Sequence, residues 1–258
     1  MPQHSPPDRT PVTVDAGHPP PDPGRGRSRL RLLGGFQFEQ CGRVLPIPYS
    51  ARRIVAFLGI RGRCDRTELA GTLWPDVPDP TARARLRTAL WRLHRLTGCP
   101  VVTAGEALAT APGVDVDVQE FVAVVQRLMS TDAALDRSVP PQLATAGELL
   151  PGWYEDWVLF ERERLRQLQM HALETVADRL TAAGRYAEAI DTALAAVRLE
   201  PLRESATRAL ILAHLGERNL VEAIRCFESF RDHLASELGV APTPELERLV
   251  RSCLARQA

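Results

Sequence analysis

The sequence predicts a mainly α-helical chain: an α+β winged helix-turn-helix over residues 29–113, then an all-α, tetratricopeptide-like helical domain over residues 114–258. Three observations lead there. Strand, helix and hairpin patterns follow one another between Arg29 and Ala111 in the winged-helix order. Residues 80–97 set arginines against leucines at helical spacing and contain no acid. Farther on, Glu188-Ala189-Ile190 recurs as Glu222-Ala223-Ile224, an offset of 34 residues, the tetratricopeptide period.

In order, residues 1–28 hold eight of the 21 prolines and no apolar run, the composition of a disordered or extended tail. Arg25, Arg27, Arg29 and Arg31 alternate at its end and read as a plain linker. A period of two then takes over. Arg29-Leu30-Arg31-Leu32-Leu33, Gly34-Gly35 and Phe36-Gln37-Phe38 form a hairpin with Leu30, Leu32, Phe36 and Phe38 toward the core, and Cys41-Gly42 turns into a third strand, Arg43-Val44-Leu45. Ser50 is expected to cap a helix with Ile54, Phe57 and Leu58 on its apolar face, stopped near Gly62. Asp65-Arg66-Thr67-Glu68 reads as a capping box for a second helix ending at Trp74. Asp79 suits the N-cap, and Pro80 the first position, of a third helix. Val101-Val102-Thr103 and Ala107-Leu108-Ala109, around Ala104-Gly105-Glu106, close as the wing hairpin.

On the third helix, Leu86, Ala89, Leu90, Leu93 and Leu96 share one face, and Arg83, Arg87, Thr88, Trp91, Arg92 and Arg95 cover the rest. An apolar-backed helix with a cationic front, entered by a tight turn from a preceding helix, is what recognition of double-stranded DNA requires. Arg87, Thr88 and Trp91 lie nearest the centre of that front, where base edges are read: arginine suits guanine and the Thr methyl suits thymine. Arg83, Arg92 and Arg95, with Arg52, Arg53 and Arg66 near helix starts, are expected on phosphates. Trp91 has a second reading of equal weight, packed against the wing. Five or six phosphate contacts imply that log K falls with log salt with a slope of about −5.

All 32 basic residues are arginine and only one residue is Asn, the signature of a GC-rich genome, so arginine content alone says little about partners. Its distribution says more. Residues 29–113 carry thirteen arginines and six acids, and residues 114–258 sixteen arginines and twenty-three acids, so a basic unit precedes an acidic one. Cys41, Cys64, Cys99, Cys226 and Cys253 are odd in number and contain no C-x-x-C, which excludes a disulfide framework or zinc site and fits a reducing cytoplasm. No apolar run approaches membrane-spanning length, and no signal-peptide pattern opens the chain. His4, His18, His94, His171, His214 and His233 form no close-spaced ligand set, and no nucleophile elbow or phosphate loop occurs, so neither an enzyme nor a cofactor is expected.

The second half opens with Asp117-Val118-Gln119-Glu120, a capping box ahead of Phe121, Val124, Val125 and Leu128. A long helix follows from about Trp157 to Ala183, with Leu165, Leu168, Ala172, Val176 and Leu180 in register. Gly184, Tyr186, Ala196 and Pro201 stand at tetratricopeptide spacings; in the degenerate second copy Arg218 replaces the turn glycine and Phe230 the small alanine. Thr243-Pro244-Glu245 starts a closing helix. Stacked helix pairs build concave surfaces for proteins or ligands, and an undistinguished helical bundle is the alternative.

Two sets of motifs resemble one known family, the Streptomyces antibiotic regulatory proteins. Leu33-Gly34-Gly35-Phe36, Leu73-Trp74-Pro75-Asp76 and Leu86-Arg87-Thr88-Ala89-Leu90-Trp91-Arg92-Leu93 look like its OmpR-type winged-helix domain. Leu150-Pro151-Gly152, Asp156-Trp157-Val158 and Gly239-Val240-Ala241-Pro242 look like the bacterial transcriptional activator domain that follows it. The resemblance implies an activator that binds direct repeats upstream of secondary-metabolite genes, as a homodimer on DNA, and recruits RNA polymerase holoenzyme. It also implies that the loop holding Trp74, Asp76 and Asp79 faces polymerase, with Asp76 and Asp79 offering acid to a basic surface. Two positions depart from the family: His94 stands where arginine is usual, and the wing carries Glu106 with no basic residue for a minor-groove contact. The competing function is a helical scaffold or adaptor with only incidental DNA affinity.

Overall fold

Alternating Arg29, Leu30, Arg31 and Leu32 put one leucine face inward, and β1 (Ser28–Arg31) forms there with Leu30 buried. The computed structural model describes residues 28–96, 98–130 and 140–255. All of the tail expected over residues 1–28 except Ser28 lies outside the described residues. β2 (Gln37–Gln40) pairs antiparallel with β1, setting Leu30 against Phe38, and β3 (Arg43–Val44) pairs with β2. Leu30, Leu32 and Phe38 are buried as the alternation predicts, while Phe36 is only half-buried.

Three helices and a hairpin follow, the order of a winged helix-turn-helix. α1 (Tyr49–Arg61) buries Ile54, Val55 and Leu58 and stops at Gly62, which adopts φ 78°. It lies close on β1 because of Gly59: a Cβ there would stand 2.6 Å from Leu30 Cδ2. β4 (Cys64–Asp65) leads into α2 (Arg66–Leu73), and α3 (Asp79–His94) backs its arginines with buried Ala82, Leu86, Ala89, Leu90 and Leu93. β5 (Val101–Ala104) and β6 (Ala107–Thr110) make the wing, and β4 joins it in the order β4-β6-β5.

The chain then returns to its first strand. β7 (Val114–Val116) runs parallel to β1, giving the sheet order β3-β2-β1-β7. α4 (Asp117–Met129) and the short α5 (Pro141–Thr145) precede the long α6 (Asp156–Ala182). α7 (Tyr186–Leu199), α8 (Glu204–Gly216), α9 (Leu220–Leu238) and α10 (Pro244–Ala255) complete the helical array. The 34-residue echo is structural. Ala189 and Ala223 are both buried, and Gly184 and Arg218 both take left-handed backbone at φ 73° and 66°.

Burial runs continuously from the β1 sheet into α6–α8. Leu33 bridges Leu149, the Gly34 N–H donates to Glu148 O at 2.8 Å, and the Leu150 N–H donates to Leu32 O at 2.9 Å. Trp153 stacks on Phe36 and Trp157 meets Phe57 edge-on. Glu161, 2% exposed, is held by Arg61 at 2.8 Å and Arg164 at 2.6 Å. A carboxylate so buried needs both cations.

Four expected caps are made differently. α1 begins at Tyr49, so Ser50 falls inside the helix and caps nothing. Asp65 precedes α2 as expected but accepts no cap bond from its side chain, and the Cys64 thiol donates to the Asp65 backbone oxygen at 3.4 Å. Asp79 is the first residue of α3, after Pro78, and its carboxylate holds Arg83. Asp117 opens α4 from inside the helix, and its carboxylate accepts from the backbone of Leu32 and Leu33 as well as Val118. At α10, Thr243 does act as a cap, accepting from the Leu246 N–H at 3.5 Å.

Candidate nucleic-acid interface

α3 supplies the cationic surface. Its buried stripe leaves Arg83, Arg85, Arg87, Thr88, Trp91, Arg92 and Arg95 exposed on the other sides. Arg83 is tied to Asp79 across one helical turn, Nη2 to Oδ2 at 2.8 Å; an exposed pair of this kind contributes only about 0.3–0.5 kcal/mol and yields readily to a stronger anion. Thr88 donates its hydroxyl to Ala84 O at 3.0 Å. Trp91 is 59% exposed, and the Arg95 guanidinium lies over its ring at 4.8 Å, so the indole is covered by a cation and not by the wing. Arg85, Arg87 and Arg92 make no ion pair or hydrogen bond among the described residues.

The arginines predicted outside α3 are tied to the fold. Arg52 donates to Ile47 O at 2.7 Å and covers the Phe36 ring. Arg53 pairs with Glu155 at 3.0 Å, lies over Trp74 and has a side chain only 17% exposed. It belongs to the seam between α1 and α6. Arg66 reaches the wing, where it bonds Thr103 Oγ1 at 3.1 Å. The wing tip turns at Gly105, φ 65°, and exposes Glu106.

The α2–α3 loop sits over the start of α6. Trp74, Asp76 and Val77 line a cavity of about 530 Å³ together with Tyr154, Glu155 and Trp157. Trp74 is half-buried against the core, whereas Asp76 is exposed and has no partner among the described residues. Arg85 lines this cavity too. The helical pattern left it out; the signal was its place as the middle arginine of the Arg83, Arg85, Arg87 run. The site thus brings Arg83, Arg87, Thr88, Trp91 and Arg92 onto one helix with Arg95 at its C-cap, and leaves Arg52 and Arg53 in structural contacts.

Residues 116–254 match the family model of the bacterial transcriptional activator domain. The chain is 28% identical over 258 aligned residues to the regulatory protein AfsR of Streptomyces coelicolor, covering 95% of this chain and 26% of that protein. Against AfsR of Streptomyces griseus it is 30% identical over 201 residues, covering 72% of this chain and 20% of the relative. It therefore spans about a quarter or less of these relatives. A solved structure of Mycobacterium tuberculosis EmbR, in complex with a low affinity phosphopeptide, shares the fold with TM-score 0.68 at 21% identity, over 90% of this chain and 66% of that one. With more than half its length matched by the family model, the chain belongs to the bacterial transcriptional activator domain family.

Proposed function

We propose that the protein is a sequence-specific DNA-binding transcriptional activator, with residues 29–113 as the DNA-binding unit and residues 114–258 as the activator unit. The observation that carries this is the exposed side of α3, where Arg87 and Arg92 stand without ion-pair or hydrogen-bond partners among the described residues and no acid follows Asp79 within the helix. In this reading α3 enters the major groove. Arg87, Thr88 and Trp91 read base edges while Arg83, Arg92 and Arg95 hold phosphates. Arg66 reaches a phosphate beside the wing; Arg52 and Arg53 act indirectly, by fixing the start of α1. The unpartnered Asp76 supports a polymerase-facing loop; Asp79, tied to Arg83, supports the groove-facing side instead.

Likeness to AfsR and the motifs of the Streptomyces antibiotic regulatory proteins support the finer reading: a homodimer on direct repeats ahead of secondary-metabolite genes, recruiting RNA polymerase holoenzyme. The test is selection of genomic fragments by the purified protein at moderate salt, followed by footprinting of those retained. A short repeated motif ahead of a gene cluster is expected. Salt-labile retention without a footprint refutes the reading and leaves the scaffold or adaptor alternative.

A further inference from the structure

We propose that the helical array contains a binding site for a small apolar carboxylate. Between α7, α8 and α9 lies a cavity of about 330 Å³, within the range of small-molecule pockets. Leu194 and Val197 from α7, Leu210 from α8 and Phe230 from α9 wall it. Phe230 occupies the repeat position that Ala196 holds one copy earlier, so the departure from the repeat supplies an aromatic wall.

Two polar features mark what the occupant must offer. Thr207 lines the cavity, is 3% exposed, and its hydroxyl has no hydrogen-bond partner among the described residues. A buried hydroxyl left in this state destabilises the fold, a cost that a ligand oxygen reaching it would recover. The rim carries a guanidinium: Arg225, Ser229 and His233 follow one another at four-residue spacing along one side of α9, and no acid is among the residues that line the cavity. Arg225 holds Glu222 at 2.7 Å, but its side chain is 70% exposed, so that pair is easily exchanged for a ligand anion. Apolar walls, a buried hydroxyl and an exchangeable guanidinium at the rim together select an apolar body ending in a carboxylate.

The test uses the full chain, with 8-anilinonaphthalene-1-sulfonate as fluorescent probe and octanoate and 1-octanol as competitors. Saturable binding of one probe per chain is expected, with octanoate displacing it at a concentration at least about tenfold lower than octanol. Leu194→Trp, which fills the cavity, should weaken probe binding by tenfold or more. Ser229→Trp at the exposed mouth should do the same without touching the core, and serves if the first variant melts early. Arg225→Ala with His233→Ala should abolish the preference for octanoate over octanol. Probe binding unchanged in both tryptophan variants, or octanol competing as well as octanoate, overturns the proposal.

Discussion

Asp117, in the first turn of α4, accepts the backbone N–H of Leu32 at 2.9 Å although 85 residues separate them. The same carboxylate takes the Leu33 N–H at 3.0 Å and the Val118 N–H at 2.7 Å. Burial pushes its pKa up, and these three backbone donors pull against that. The N–H groups just beyond the first strand and the first turn of α4 thus share one acceptor. Asp117→Ala leaves these donors without it and should cost about 2 kcal/mol, read as a lower urea midpoint. Because the bond joins the β1 sheet to α4, tryptophan fluorescence and far-UV circular dichroism should shift together.

Arg218 occupies the left-handed backbone position that Gly184 fills one repeat earlier. A side chain there strains the turn, and glycine relieves it at the expense of a freer unfolded chain. Arg218→Gly should raise stability by about 0.5–1 kcal/mol. Thermal melts of the two proteins check this, and a lower melting temperature in the variant would contradict it.

Arg166 holds Glu163 at 2.9 Å and also bonds Glu200, and the first of these contacts pulls the Glu163 pKa down to about 2. Since the folded value lies below the ordinary 4.5, this contact stabilises the fold above pH 4.5. Its contribution fades as pH falls from about 4.5 to 2. The group is exposed, so the effect is small. Glu163→Gln should melt about 1 °C below the parent at pH 6, a difference that vanishes near pH 2.

Asp76→Ala tests the loop. It should leave DNA affinity within twofold of the parent and lower activation several-fold in a reconstituted transcription assay. Full activation at unchanged affinity would remove Asp76 from the polymerase-facing role.

How much of this was legible depended on the range of the interaction. Leu30, Leu32 and Phe38 were readable because strand alternation is local, and Leu86, Ala89, Leu90 and Leu93 because helical spacing is. The repeat was readable because Ala189 and Ala223 fill equivalent buried positions. The caps were not. A carboxylate near a helix start takes whichever donor the fold brings close: Asp79 found Arg83 one turn on, and Asp117 found a strand 85 residues away. The same limit applied to the arginines. Sequence counted Arg53 among the phosphate-binding residues, yet Glu155 and Trp74 reach it across the seam. A parallel pairing as short as that of β7 with β1 leaves no local trace.

Binding isotherms on a selected site and a scrambled one distinguish sequence reading by α3 from attraction to a basic surface. Arg87→Ala should cost about 1–3 kcal/mol on the selected site and little on the scrambled one, narrowing the gap between them. Arg92→Ala, as a phosphate contact, should weaken both alike and reduce the salt slope by about one. Equal losses on both sites for Arg87→Ala, with the discrimination intact, would contradict the account and reduce the arginines of α3 to a basic surface.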